Sequence, residues 1–258
     1  MKKEGVIYYN DELNDEFSGI KEKDFKLNEN YKYIHKNIIW RICAFFFYRI
    51  IMTPVAYLFL KFKYHYKIEN KKVLKGFRKH GIFLYGNHTN IPGDAYVPNM
   101  LTFPQKCYVI VNSQNVAIKG TRTFMSMVGA LPIPDSFKGM RTFIEAVEKR
   151  TVQGNAVCIY PEAHIWPYYT KIRPFKSASF RYPIQFGDPS FAFTTTYQKR
   201  RHSKKPKMVI YVDGPFYVNL NLPDKDRKED LRNRIYYAMV ERSKNSNIEV
   251  IKYIKKGE

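Results

Sequence analysis

The sequence predicts an α/β fold: a mixed, partly parallel sheet flanked by helices and preceded by an apolar helical segment. From Gly81 onward, short apolar runs alternate with longer amphipathic ones, the pattern of strands joined through helices. The chain has 258 residues, 45% hydrophobic and 16% aromatic, which is enough apolar material for one large core. Its most apolar stretch, Asn37 to Leu60, lies ahead of the alternation rather than within it.

Residues 1–36 mix Lys, Glu, Asp and Asn with scattered Tyr and lack sustained periodicity, so they read as a loose or weakly helical polar arm that carries no chemistry. In Asn37 to Leu60, Arg41 and Arg49 interrupt the apolar run and Pro54 would bend a helix, leaving Ile50 to Leu60 as the longest charge-free part. A spanning helix needs roughly 20 mostly apolar residues, and an arginine at mid-bilayer costs about 2.5 to 3.5 kcal/mol. The expectation is therefore two short helices lying in a membrane interface, within an anchor covering residues 37–70. Lys32, Lys36, Lys61, Lys63 and Lys67 flank the stretch, where they would meet anionic headgroups, while Trp40 and Phe45 to Tyr48 enter the acyl boundary. A pair of core helices covering one face of the domain is the other reading of the same pattern.

Residues 71–258 form the main domain. The expected strands are Ile82 to Tyr85, Cys107 to Val111, Ala156 to Tyr160, Phe191 to Thr196 and Met208 to Val212, all rich in β-branched or aromatic residues. Helices are expected near Thr121 to Val128, from Phe137 to Arg150 and from Asp226 to Arg242. In the second of these, Phe137, Met140, Ile144 and Val147 recur at helical spacing, with Ser136 or Asp135 as cap and Gly154 just beyond the end.

Forty-four Lys and Arg against 23 Asp and Glu give a formal charge of +21, a field that draws in phosphates and anionic membranes. Nucleic acid is not the expected partner, because there is no zinc-finger spacing, aromatic RNA-binding signature or lone basic reading helix. Cys43, Cys107 and Cys158 sit in or beside apolar sequence, as buried small hydrophobes in a reducing, cytosol-facing protein would. The first forty residues are polar and charged and show no cleavable signal peptide, so the expectation is a peripheral or monotopic protein at the cytoplasmic face of the cell membrane. His35, His65, His80, His88, His164 and His202 form no His-x-x-x-His or Glu-x-x-His pattern, so no metal is expected.

The most informative segment is Tyr85 to Ala95, which leaves a predicted strand and holds Asn87, His88, Pro92, Gly93 and Asp94. Loops at strand ends are where α/β proteins place reactive groups. Pro92 and Gly93 force a turn that could bring the Asp94 carboxylate back onto the His88 imidazole. Such a pair suits deprotonation of an alcohol, since the carboxylate fixes the tautomer and stabilises the imidazolium that forms.

These residues resemble the signature of the glycerolipid acyltransferases, typified by lysophosphatidic acid acyltransferase. The family places Asn-His after a strand and an Asp after four intervening residues. This chain has Asn87-His88 and five residues before Asp94. Lys119 to Pro132, ending in Val128-Gly129-Ala130-Leu131-Pro132, is similar to the family's second block, but Asp135 stands about where an arginine is usual. Lys138 or Arg141 would then supply the charge. Ile159-Tyr160-Pro161-Glu162-Ala163-His164 resembles the third block, Phe-Pro-Glu-Gly-Thr-Arg, keeping only its Pro-Glu core. Downstream, Phe175 to Arg181 looks like the family's Phe-Lys-Lys-Gly-Ala-Phe-Arg.

The resemblance implies direct transfer of a fatty acyl group from the thioester of acyl-CoA or acyl-carrier protein, as co-substrate, to the hydroxyl of a lysophospholipid. His88 would be the base and Asp94 its orienting partner, without a covalent acyl-enzyme or cofactor. Backbone N–H groups of Asn87 to Asn90, or a nearby cation, would face the oxyanion. Asn87, Glu162, Arg173 and Lys176 would bind substrate, the last two as phosphate ligands. Two other classes stand against this reading. A non-catalytic basic protein binding membrane or nucleic acid leaves the Asn-His and Pro-Glu blocks unexplained. A serine or cysteine hydrolase would need a Gly-x-Ser-x-Gly elbow or a Cys in a polar setting, and neither is present.

Overall fold

The computed structural model describes residues 5–19, 25–117 and 120–257. After a short strand, β1 (Gly5–Tyr9), the chain runs through the arm into one continuous helix, Ile38–Tyr64. This helix comprises α1 (Ile38–Phe45), a π-helical stretch (Phe46–Met52) and α2 (Thr53–Tyr64). The expected break into two short helices does not occur, and the π-helical stretch explains why. Proline disrupts a regular helix by removing one donor and crowding the preceding turn. Here Pro54 follows the widened turn, in which the backbone N–H and the hydroxyl of Thr53 both donate to Tyr48 O, five residues back. The helix has 27 residues and is long and apolar enough to cross a membrane, by length and composition. It exposes Ile38, Ile39, Ile42, Phe45, Phe46 and Ile50.

The main sheet takes its strands in the order β2-β8-β7-β3-β6-β4-β5. In chain order the elements are β2 (Lys67–Glu69), β3 (Ile82–Gly86), α3 (Gly93–Thr102), β4 (Cys107–Val111), α4 (Arg122–Met127) and β5 (Ala130–Pro132). Next come α5 (Phe137–Val152), β6 (Ala156–Ile159), α6 (Arg181–Phe186), β7 (Ser190–Arg200), β8 (Ser203–Phe216), α7 (Asp224–Ser243) and β9 (Ile251–Lys255). Strands β7, β3, β6, β4 and β5 run parallel, and β8 returns antiparallel to β7. The architecture is thus the mixed, parallel-dominated α/β sheet that the alternation predicts.

Strand β3 sits mid-sheet and is buried on both faces, hence its unbroken apolar run. Its Ile82 and Leu84 pack with Leu60 of α2 and with Val97 and Leu101 of α3. Its Phe83 and Tyr85 pack on the other side with Phe143 and Val147 of α5 and with Leu231, Ile235 and Met239 of α7. Each such side chain contributes about 1.5 to 3 kcal/mol relative to exposure. The helix cap expected at Ser136 or Asp135 is Ser136, whose hydroxyl accepts from Gly139 N–H at 3.1 Å.

The N-terminal arm departs from its expected looseness. Strand β1 pairs in parallel with β9, from Gly5 opposite Ile251 to Tyr9 opposite Lys255. Leu27 and Tyr33 are buried in the main core, and the Tyr33 hydroxyl donates to Pro132 O at 2.8 Å. The arm is ordered by distant partners rather than by its own periodicity. Residues 1–4 and 20–24 of the arm, and Lys119 of the second block, lie outside the described residues.

Candidate active site

The site is built where β3 ends. A Cβ on Gly86 would stand 2.1 Å from Cζ of Phe193, so only glycine lets β3 pass this close to the β7 side chain. Asn87 then clamps the two strands: its Oδ1 accepts from Thr195 N–H at 2.7 Å and its Nδ2 donates to Thr195 O at 3.0 Å. Both ends of the buried amide are used. Asn87, expected to bind substrate, instead fixes the exit angle of the loop that carries His88.

Beyond His88 the chain folds back sharply. Asn90 Oδ1 accepts from Gly93 N–H at 3.0 Å, and Asn90 O accepts from Asp94 N–H at 2.9 Å. This starts α3, a helix that the Pro-Gly pair disguises in the sequence, and puts Asp94 in its first turn, where the helix dipole favours a carboxylate. Asp94 Oδ2 lies 2.8 Å from His88 Nδ1 and also accepts from Asn90 N–H at 2.8 Å. The fifth intervening residue is absorbed inside this turn. A carboxylate only accepts, so Nδ1 carries the proton and Nε2 presents its lone pair. Nε2 has no partner among the described residues, and the imidazole is 18% exposed against 4% for the Asp94 side chain.

Two tyrosines that sequence reasoning passed over brace the site. The register Tyr85 opposite Ile159 brings Tyr160, the next residue after β6, beside the His88 loop. Its ring stacks on the imidazole at 4.4 Å and 17°, and its hydroxyl donates to Asp94 O at 2.5 Å. Burial pushes the Tyr160 phenol well above its ordinary range, keeping it a donor. From β7, the Tyr197 hydroxyl donates to Thr89 O at 3.1 Å. The only visible signal for Tyr160 was its place directly before Pro161-Glu162.

Glu162 is buried and faces the backbone, not a substrate. Its Oε2 accepts from His88 N–H at 3.0 Å, and its Oε1 accepts from Arg173 N–H at 3.0 Å. Burial raises its carboxyl, and the Arg173 guanidinium, 3.3 Å from Oε2, opposes that shift. Arg173 is itself 0% exposed. It donates to His164 O and to Glu12 O and lies 4.9 Å from the Trp166 ring. The expectation that Arg173 binds phosphate is therefore corrected: its charge is committed to Glu162, as a buried ion pair requires. Trp166 N–H donates to His88 O at 3.1 Å and Tyr168 N–H to Thr89 O at 2.9 Å, so the third block runs alongside the first and holds it.

Since the amides of His88 and Asn90 donate to Glu162 and Asp94, those two cannot serve an oxyanion in this arrangement. Lys176 stands apart from the dyad, exposed on a cavity of about 470 Å³ that it lines with Leu13, Phe175, Lys228 and the ion pair Glu229–Arg232. Lys138 and Arg141, proposed to replace the missing arginine, are solvated and lie beside Glu29 and Glu145. Asp135 accepts from Leu27 N–H at 2.9 Å and anchors the arm.

Residues 65–196, just over half of the chain, match a family model described as acyltransferase. Among solved structures, the 1-acyl-sn-glycerophosphate (LPA) acyltransferase PlsC from Thermotoga maritima has a similar fold. The TM-score is 0.52 at 13% identity, covering 74% of this chain and 78% of that one. No curated protein matches the sequence.

Proposed function

This chain belongs to the acyltransferase family, and we propose that it moves a fatty acyl group from a thioester to the hydroxyl of a lysophospholipid such as lysophosphatidic acid. One observation carries the reading: His88 Nδ1 is engaged by Asp94 at 2.8 Å, which leaves Nε2 as an accessible base. The acceptor oxygen attacks the thioester carbonyl while Nε2 takes its proton. Collapse of the tetrahedral intermediate breaks the carbon–sulfur bond, and the departing thiolate recovers the proton from the imidazolium. The products are an ester and a free thiol. Asp94 stabilises the imidazolium throughout, and Tyr160 and Glu162 hold the ring and its backbone in place.

The donor is acyl-CoA or acyl-carrier protein, and no resident cofactor takes part. Lys176, with Lys228 on the same cavity, is the candidate ligand for an acceptor phosphate, while Arg232 there is paired with Glu229. The similarly folded Thermotoga protein is named for a lysophosphatidic acid acceptor, which supports this substrate class. The exposed apolar helix Ile38–Tyr64, with its neighbouring cations, supports work at the cytoplasmic face of an anionic membrane. Incubating purified protein with detergent-dispersed lysophosphatidic acid and labelled acyl-CoA should yield labelled diacyl product by mass spectrometry, dependent on the lysolipid. Thioester hydrolysis without an acylated lipid would rule this reading out.

A further inference from the structure

The opposite end of the sheet from His88, where β4 and β6 begin, holds a second feature. There a cavity of about 810 Å³ opens against α1. Six cations line it, Lys36, Arg41, Arg49, Lys106, Lys149 and Arg150, and no carboxylate does. Among the described residues none of the six is in an ion pair.

Three of these cations converge on two tyrosines. Lys106 Nζ lies 4.7 Å from the Tyr48 ring and 4.8 Å from the Tyr108 ring. The Arg150 guanidinium is 4.5 Å from Tyr108 and that of Arg49 is 5.2 Å from Tyr48. Each finds some carbonyl acceptor: Lys106 donates to Met127 O, Arg49 to Pro104 O and Arg150 to Tyr33 O. Yet Arg49 Nη1, Arg150 Nε and Trp40 Nε1 are buried with no partner among the described residues. All three belong to residues that line the cavity. Burial, reinforced by Arg150 and Arg49, lowers the Lys106 ammonium to about 7. Like charges gathered around one recess that no carboxylate lines are complementary to an anion that brings several acceptors.

The wall formed by α1 indicates what that anion is attached to. Ile38, Ile42 and Phe45 line the cavity and continue as exposed apolar surface along the helix. An amphiphile could lay its chains there while its head enters the cationic recess. We propose that this cavity binds the phosphate of an anionic phospholipid, with Arg49, Lys106 and Arg150 as its ligands. The site lies across the sheet from His88, and its occupancy does not depend on the acyl-transfer reading.

The test uses the whole chain and vesicles of phosphatidylcholine with or without phosphatidylglycerol, a diester whose charge is constant near neutrality. The protein should prefer the phosphatidylglycerol vesicles, and the preference should weaken from pH 6.5 to 8.5 as Lys106 loses its proton. The titratable and charged groups that line the cavity with Lys106 are His35 and Lys36 of the arm, Arg41, Tyr48 and Arg49 of the helix, Tyr108 of β4, and Lys149 and Arg150 of α5. Lys106→Met and Arg150→Gln should each cut the phosphatidylglycerol-dependent affinity by about tenfold or more, the size of one lost charge-assisted contact. Lys106→Met should melt no lower than wild type, since it removes a partly buried cation that has no ion-pair partner among the described residues. The double change Lys225→Gln, Lys256→Gln removes two exposed charges elsewhere and should keep the preference. Equal losses in cavity and control variants would mean only general charge attraction and overturn the site. A thermal shift with inorganic phosphate that Lys106→Met abolishes, without any vesicle preference, would overturn the lipid as its source.

Discussion

His88 Nδ1 and Asp94 Oδ2 stand 2.8 Å apart although five residues separate them in the chain. Asn90 makes this possible, because its side chain and carbonyl cap the turn from which α3 starts and its own N–H donates to the same carboxylate oxygen. The dyad is thus set by a helix start rather than by a flexible loop.

Asp94→Asn keeps the shape and an acceptor oxygen for these two bonds but removes the charge that supports the imidazolium. Turnover should fall about 10²- to 10⁴-fold while stability changes by less than about 1 kcal/mol. Steady-state kinetics beside a denaturant titration separates the two effects. Unchanged turnover would detach Asp94 from the chemistry.

Arg173 and Lys176 are neighbours on the chain with opposite roles. Arg173→Ala leaves Glu162 as a buried, uncompensated carboxylate and should cost about 3 to 5 kcal/mol, with activity lost alike on phosphate-bearing and uncharged acceptors. Lys176→Ala should instead raise KM for a phosphate-bearing lysolipid by about tenfold and leave kcat nearly unchanged. If Arg173→Ala proved as stable as wild type and altered only the KM for phosphate-bearing acceptors, the buried-pair account would fail.

Lys106 makes the stability of the lipid-free protein depend on pH. Its folded value is about 7 and its unfolded value 10.5, so between them the unfolded chain holds the extra proton. This contribution therefore rises with pH from about 7 upward, by at most about 1.4 kcal/mol per unit. Chemical denaturation at pH 7 and pH 9 should show the wild type gaining stability relative to Lys106→Met across that interval. Parallel pH profiles for the two proteins would show that the lysine is not desolvated.

Ala163, directly after Glu162, adopts φ of 63°, the left-handed region that favours glycine. The related third block has glycine at this position. Ala163→Gly should raise stability by about 0.5 to 1 kcal/mol, the relief of the Cβ clash less the added freedom of the unfolded chain. Equilibrium unfolding checks it, and a loss of stability would mean that the methyl packs usefully.

How much of this was readable beforehand follows from the range of the interactions involved. The run Ile82 to Tyr85 announced a strand, and Ser136 or Asp135 announced a helix start, because both signals are local. The pairing of β1 with β9 was hidden because each strand's partner lies at the other end of the chain. Helix α3 was obscured by Gly93 and Pro98, residues that ordinarily end helices. Within the site, Asn87, His88 and Asp94 stood out by type and spacing. The roles of Arg173 and Tyr160 did not, since one more arginine in a chain of charge +21 looks like surface, and a tyrosine beside a strand looks like core. Their tasks arise only when β3 and β6 lie side by side.

The central claim is that the imidazole of His88 is the base in acyl transfer. Its most direct test is the rate of product formation from labelled acyl-CoA and lysophosphatidic acid by His88→Ala, with thermal melting measured on the same preparation. The ring is partly exposed and sits on a loop, so the melt should be nearly that of wild type while the rate falls by about 10²- to 10⁴-fold. A variant that folds normally and keeps more than about a tenth of the wild-type rate would contradict the claim.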